Sequence, residues 1–144
     1  MAQSHFVLAV LLVNGRYALQ LRDDKPEIYA ANQWGLFGGA IEDGESAEAA
    51  IAREVEEELS VRAAPFRFLW ELANENSANA PVARYSIYEA DVTHQWAQHR
   101  LTEGQRADHF SFDELLLLKM PPLIREILAR HWSKMRLQSP RSEP

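Results

Sequence analysis

From Gly38 to Val61 the chain reads Gly-Gly-Ala-Ile-Glu-Asp-Gly-Glu-Ser-Ala-Glu-Ala-Ala-Ile-Ala-Arg-Glu-Val-Glu-Glu-Glu-Leu-Ser-Val. A glycine-rich turn leads through an acidic loop into a segment that has to be helical. Ser46 is a good N-cap residue, and Ala47 to Leu59 are nearly all strong helix formers. At about 100° per residue, Ala47, Ile51, Val55 and Leu59 form one apolar stripe that must pack against something. Glu54, Glu57 and Glu58, at i, i+3 and i+4, are neighbours on this helix. The helical wheel places Glu58 inside the edge of the stripe with Glu54 beside it, and turns Arg53 and Glu56 toward the opposite side.

Carboxylates at the edge of a buried face are costly unless they are paired or hold a metal ion. Three clustered like charges also repel one another. A hard divalent cation such as magnesium, which takes oxygen ligands, resolves both problems. The competing reading is a solvated acidic face with ordinary salt bridges, and the triplet alone leaves both open.

Spacing around the triplet adds to this. Gly39 is followed after five residues by Glu45, and after seven more by Arg53-Glu54-Val55-x-Glu57-Glu58-x-Ser60-Val61. This resembles the signature box of the Nudix hydrolases, Gly-x5-Glu-x7-Arg-Glu-U-x-Glu-Glu-x-Gly-U, where U is a bulky aliphatic residue. Gly39 to Val61 satisfies eight of its nine restricted positions. Ser60 stands where the family has glycine, just past the helix, where a left-handed residue is often wanted. Phe37 stands where many members have proline before the Gly-Gly pair. Neither departure removes an oxygen ligand.

The chain of 144 residues is long enough for one domain with a core, expected over 1–137, with 138–144 as a frayed polar tail. A net charge of −6 argues against a nucleic-acid polymer as partner, which would need basic surface. It does not argue against nucleotides, whose phosphates a metal neutralises locally. With no cysteine there is no disulfide framework and no thiolate metal site. That suits a reducing compartment, and the expected location is the cytoplasm. The apolar run Phe6 to Val13 is too short to span a membrane. It also lacks the basic flank and cleavage site of a signal peptide.

In chain order, Phe6 to Val13 reads as a buried strand and Asn14-Gly15 as a two-residue hairpin turn. Arg16 to Arg22 reads as a strand with Tyr17, Leu19 and Leu21 on one face. A long loop, Asp23 to Gln33, leads to Trp34, whose expected place is the core. Beyond the helix, Phe66, Phe68, Trp70 and Leu72 alternate with Arg67 and Glu71 as a strand. A polar turn, Asn74 to Pro81, joins it to a second strand, Val82 to Val92. After an irregular stretch from His94 to Glu103, a strand is expected over Ala107 to Phe110. Ser111-Phe112-Asp113-Glu114 fits a capping box opening a short helix through Leu118. Pro121-Pro122 starts a last helix with Leu123, Ile124, Ile127, Leu128 and His131 at helical spacing. Pattern alone gives an α/β chain with helices on a mixed sheet. The Nudix resemblance sharpens this to an α/β/α sandwich.

The resemblance further implies magnesium-dependent hydrolysis, with manganese as a substitute, of a nucleoside diphosphate linked to another moiety. Water attacks phosphorus, and a nucleoside triphosphate or related small nucleotide is the expected substrate. By position, Glu57 and Glu58 become the main metal ligands, with the Gly38 carbonyl completing the shell. Glu54 becomes a further ligand or the base, and Arg53 orients the glutamates. Glu45 is assigned a structural role. Glu103, in the loop before Ala107, is the candidate for one more acidic ligand, against the alternative of a solvated loop carboxylate; Glu75, Glu89 and Asp91 compete less well. Arg22 is a candidate phosphate contact or a surface residue. The histidines at 5, 94, 99, 109 and 131 lack ligand spacing. A homodimer is left open. The alternatives to an enzyme are a Nudix-fold module that binds a nucleotide without cleaving it, and an acidic-helix interaction protein.

Overall fold

β1 (His5–Val13) lies at the middle of the sheet because Phe6 to Val13 is apolar at every position. Only a strand covered on both faces satisfies such a run. The computed structural model describes residues 4–62, 65–74 and 82–138. Within them β1 is followed by β2 (Arg16–Leu21), β3 (Trp34–Gly35), β4 (Phe37–Ala40), α1 (Ala47–Leu59), β5 (Arg67–Asn74), β6 (Ala83–Asp91), β7 (Arg106–Phe110), α2 (Phe112–Leu115) and α3 (Pro122–Gln138). α3 runs one residue into the expected tail, and 139–144 lie outside the described residues.

The strands lie in the order β3-β2-β1-β6-β5. β1 runs parallel to β6 along one edge. Its other edge is divided: residues 11–13 pair with β2 and residues 6–9 with β4, both antiparallel. β7 pairs with β2. The period of two along β1 sorts its side chains between two cores. Val7, Ala9, Leu11 and Val13 pack with Ala50, Ile51, Val55 and Leu59 of α1. Val10 faces the other way, with Leu123, Ile124, Ile127 and Leu128 of α3. A mixed sheet between two helical layers is the α/β/α sandwich expected.

Local signals explain most boundaries. Asn14 and Gly15 both have positive φ, 51° and 76°, as the tight turn between β1 and β2 requires. The Ser46 hydroxyl accepts from Ala49 N at 3.1 Å and starts α1. Ser111 and Glu114 form the reciprocal capping box of α2. That helix stops at Leu115, short of Leu118, because the next three amides bond to carbonyls three residues back. α1 ends on Ser60 at φ 56°, ψ 33°, a left-handed conformation, with its N–H donating to Glu56 O. Ser60→Gly relieves that backbone and is expected to stabilise the fold by about 0.5–1 kcal/mol; chemical denaturation reads the change directly.

One further expectation changes. β5 does not alternate cleanly: Phe68 pairs with Tyr88 and Trp70 with Ile87, so Leu69 is an extra residue. This bulge turns Phe68 to solvent, where its ring meets Tyr88 edge-on. The turn from Asn74 to Pro81 falls, beyond Asn74, outside the described residues. Trp34 is buried and packs edge-on against Phe110. Among the described residues no helix is long and apolar enough to cross a membrane.

Candidate active site

Two glycines bring α1 and β4 together. Gly38 has φ +152°, and a Cβ there would lie 2.0 Å from the Val7 carbonyl oxygen. Only glycine lets β4 close on β1 at this point. The Gly38 N–H then donates to Glu58 Oε1 at 2.8 Å. At Gly39 a Cβ would lie 2.6 Å from the carboxyl carbon of Glu54. The missing side chain is therefore the space that Glu54 occupies.

Glu58 is 9% exposed, as its place at the edge of the apolar stripe implies. Burial is the main cause that pushes its carboxyl up to about 8, and the charges of Glu54 and Glu103 push the same way. Hydrogen bonds from Gly38 and from Gln20, at 3.5 Å, oppose the rise. Glu54 is also raised, by burial first, and Arg53 partly offsets this.

Arg53 does not point away from the cluster. Its guanidinium curls back over the loop to Glu45 at 2.7 Å, Glu54 at 2.9 Å, Glu57 at 3.2 Å and the Ala40 carbonyl at 3.1 Å. The wheel gives the direction of Cβ, and the long arginine stem reverses it. Hydrogen bonding to Arg53 is the largest cause holding Glu45 down to about 2. Glu45 also accepts from Glu42 N, so it ties loop to helix. Glu57 is the most exposed of the three helix glutamates.

The loop carrying Glu103 is fastened to the end of α1. Arg100 N donates to Leu59 O, Thr102 N to Glu58 O, and the Thr102 hydroxyl to Glu57 O at 2.7 Å. These bonds fill carbonyls that a helix C-terminus leaves open. Gln105 then donates to Arg22 O and to Asn32 Oδ1, joining the loop to the long segment after β2. Glu103 consequently lines a cavity of about 140 Å³ with Glu58, Gln20, Arg22 and Asp23. The other acidic candidates lie elsewhere. Glu89 bonds His131 and Arg67, Asp91 bonds Thr93, and Glu75 is outside the described residues. His131 is buried between Glu89 and the Tyr17 hydroxyl.

A second cavity, about 240 Å³, opens on the α3 side of Gly38 and Gly39. Phe6, Leu8, Leu36, Tyr85 and Ile124 form apolar walls, and Tyr29 of the long loop joins them. Gln20 and Arg22 line both cavities, so the apolar slot and the acidic pocket are contiguous. Arg22 Nε donates to Tyr29 O at 2.9 Å.

The NUDIX domain family model matches residues 4–131. The chain belongs to the Nudix family. With the family comes the enzyme class, a hydrolase acting on phosphoric anhydrides. No curated protein matches the sequence. Solved structures share the fold at low identity. A mutT/nudix family protein from Listeria innocua superposes with a TM-score of 0.78 at 20% identity, covering 96% of this chain and 97% of that one. The NUDIX domain of Shewanella oneidensis NrtR, complexed with ADP ribose, gives 0.74 at 22%, covering 96% and 90%. The E. coli dihydroneopterin triphosphate pyrophosphohydrolase gives 0.67 at 20%, covering 88% and 92%.

Nudix hydrolases generally use divalent metal ions. Among the described residues no three acidic or histidine side chains converge as a ready-made metal site. Arg53 holds Glu54 and Glu57, while Gly38 N–H holds Glu58. The donor set nevertheless fits a hard cation. All its groups are oxygens, they stand on one rigid helix, and no cationic side chain is in hydrogen-bond or ion-pair contact with the buried Glu58 among the described residues.

A pH dependence follows. Glu58 rises from 4.5 to about 8 on folding. Between those values the metal-free fold holds a proton that the unfolded chain lacks. This contribution to stability is therefore full below about pH 4.5 and is lost as pH rises through about 8. A cation must displace the proton at low pH and meets an ionised carboxylate at high pH. The rise in melting temperature caused by magnesium is expected to be larger at about pH 9 than at about pH 6, as scanning calorimetry with and without metal would record.

Proposed function

We propose that this chain hydrolyses a nucleoside diphosphate linked to another moiety, most simply a nucleoside triphosphate, with Mg²⁺ as its metal and Mn²⁺ able to replace it. The observation that supports this best is the buried Glu58, with no cationic side chain against it among the described residues, at the seam between an acidic pocket and an apolar slot. The slot suits a nucleoside ring, and the pocket suits phosphates carried with a cation. Glu57 and Glu58 would hold the metal with the Gly38 carbonyl, and Glu103, which lines the same cavity as Glu58, would be the further acidic ligand. When bound, the cation neutralises phosphate charge and makes the attacking water more acidic.

The chain's own groups do the rest. Glu54 sits against Gly39 with its carboxyl raised by burial, which makes it a stronger base toward the attacking water than an ordinary carboxylate. The water oxygen bonds to phosphorus, the anhydride P–O bond breaks, and the leaving phosphate keeps the electron pair. Arg53 fixes Glu54 and Glu57 through charge-assisted hydrogen bonds, so the carboxylates stay in place as charge develops. Arg22, at the junction of the cavities, is placed to meet a phosphate oxygen. A small nucleotide is the partner, not a nucleic-acid polymer.

A panel of nucleoside diphosphate and triphosphate derivatives tests this, with phosphate counted after coupled pyrophosphatase. Reactions in ¹⁸O-water should place the label on a phosphate product. Binding by calorimetry without turnover of any compound would replace the hydrolase with a nucleotide-sensing module.

A further inference from the structure

Gln20 is an unexpected residue where it stands. β2 carries it between Leu19 and Leu21, paired with Gly35 on one side and Ala107 on the other, and it is 6% exposed. Strand alternation turns it with Ala18 toward the α1 side of the sheet. An amide in such a place costs about 1–3 kcal/mol unless its bonds are made. Those it makes are long: Nε2 lies 3.3 Å from Leu36 O and 3.5 Å from Glu58 Oε2. A methionine or leucine would fill the same volume without that cost. Packing therefore gives no reason for glutamine here, and its neighbours do.

Among the described residues Gln20 is the one side chain that donates to Glu58, whose other oxygen is held by the Gly38 N–H. One bond alone leaves a carboxylate free to turn about its terminal torsion, which is soft. Two donors on the two oxygens fix its plane. Gln20 also lines both cavities, so its amide stands at the seam where nucleoside and phosphates would meet.

We propose that Gln20 is a positioning residue that fixes the plane of the Glu58 carboxylate for metal binding. The inference rests on the hydrolase reading above. It assigns Gln20 no contact with the reacting atoms. Its absence would leave Glu58 hinged on the Gly38 amide, and the binding of the cation would then have to include the cost of ordering it.

Gln20→Met and Gln20→Leu test this through Mn²⁺ binding, read from the electron paramagnetic resonance signal of free Mn²⁺, and through the melting temperature of the metal-free protein. Both variants are expected to melt at or above the wild-type temperature and to bind Mn²⁺ about tenfold more weakly. The metal concentration for half-maximal turnover should rise by the same factor, with kcat at saturating metal changed far less. Unchanged Mn²⁺ affinity in both variants overturns the proposal. So does a fall of about 10 °C or more in both metal-free melting temperatures, which would make Gln20 a packing residue. A wild type that binds no Mn²⁺ overturns the hydrolase reading itself, an outcome distinct from the other two.

Discussion

Glu58→Gln is expected to lower kcat by about three orders of magnitude or more, equivalent to ~4 kcal/mol of transition-state stabilisation, while raising the melting temperature of the metal-free protein. The two effects have one origin. Glu58 is a buried carboxyl whose ionised form burial and the neighbouring Glu54 and Glu103 disfavour, pushing it up to about 8. Glutamine keeps an oxygen for the Gly38 N–H and removes the charge. Below about pH 4.5 the wild-type group is protonated in the folded and the unfolded chain alike, so the melting temperatures should nearly coincide. At about pH 9 the wild type bears a buried charge that the variant lacks, and the variant should melt higher. Activity lost together with stability would show that Glu58 holds the fold and not the cation. Retained activity would remove it from the site.

Gly38→Ala should have the largest effect on the fold, costing about 3 kcal/mol or more. The new methyl would lie 2.0 Å from Val7 O and 2.9 Å from Leu8 Cα, atoms of the central strand that cannot give way, and φ +152° is itself poor for alanine. Moving β4 off β1 would also withdraw the N–H that anchors Glu58. Gly39→Ala makes the useful contrast. Its methyl would meet only the far end of Glu54, at 2.6 Å, and that side chain can swing aside. Urea denaturation should find Gly39→Ala near wild-type stability, with turnover reduced because Glu54 has lost its seat. Equal destabilisation by both changes would contradict these assigned roles.

Which parts of the fold were legible from sequence follows from how local their causes are. The bounds of α1 were readable because a serine cap, alanine-rich helix formers and a period of 3.6 coincide between Ser46 and Leu59. Asn14-Gly15 fixed a turn in two residues. The bulge at Leu69 was not readable, since which strand takes the extra residue depends on the partner across the sheet. Nor was the sharing of β1's edge between β2 and β4. At the site, spacing brought the glutamates together on one helix, yet the wheel sent Arg53 the wrong way, because a long side chain can reverse the direction its Cβ sets. Glu103 reaches Glu58's cavity through bonds between Thr102 and the end of α1 that no local pattern announces. Gln20 was missed altogether, though a single polar residue inside Leu19–Leu21 was a visible signal.

The most direct test of the central claim is turnover of the best nucleotide substrate as a function of Mg²⁺ concentration, in the wild type and in Glu57→Gln. Glu57 is the exposed member of the three and takes little part in the core, so this variant should fold as the wild type does. Hydrolysis that saturates with Mg²⁺, disappears on chelation and falls by several orders of magnitude in Glu57→Gln is the predicted result. Metal-independent turnover, or a Glu57→Gln enzyme as fast as the wild type at every Mg²⁺ concentration, would contradict it.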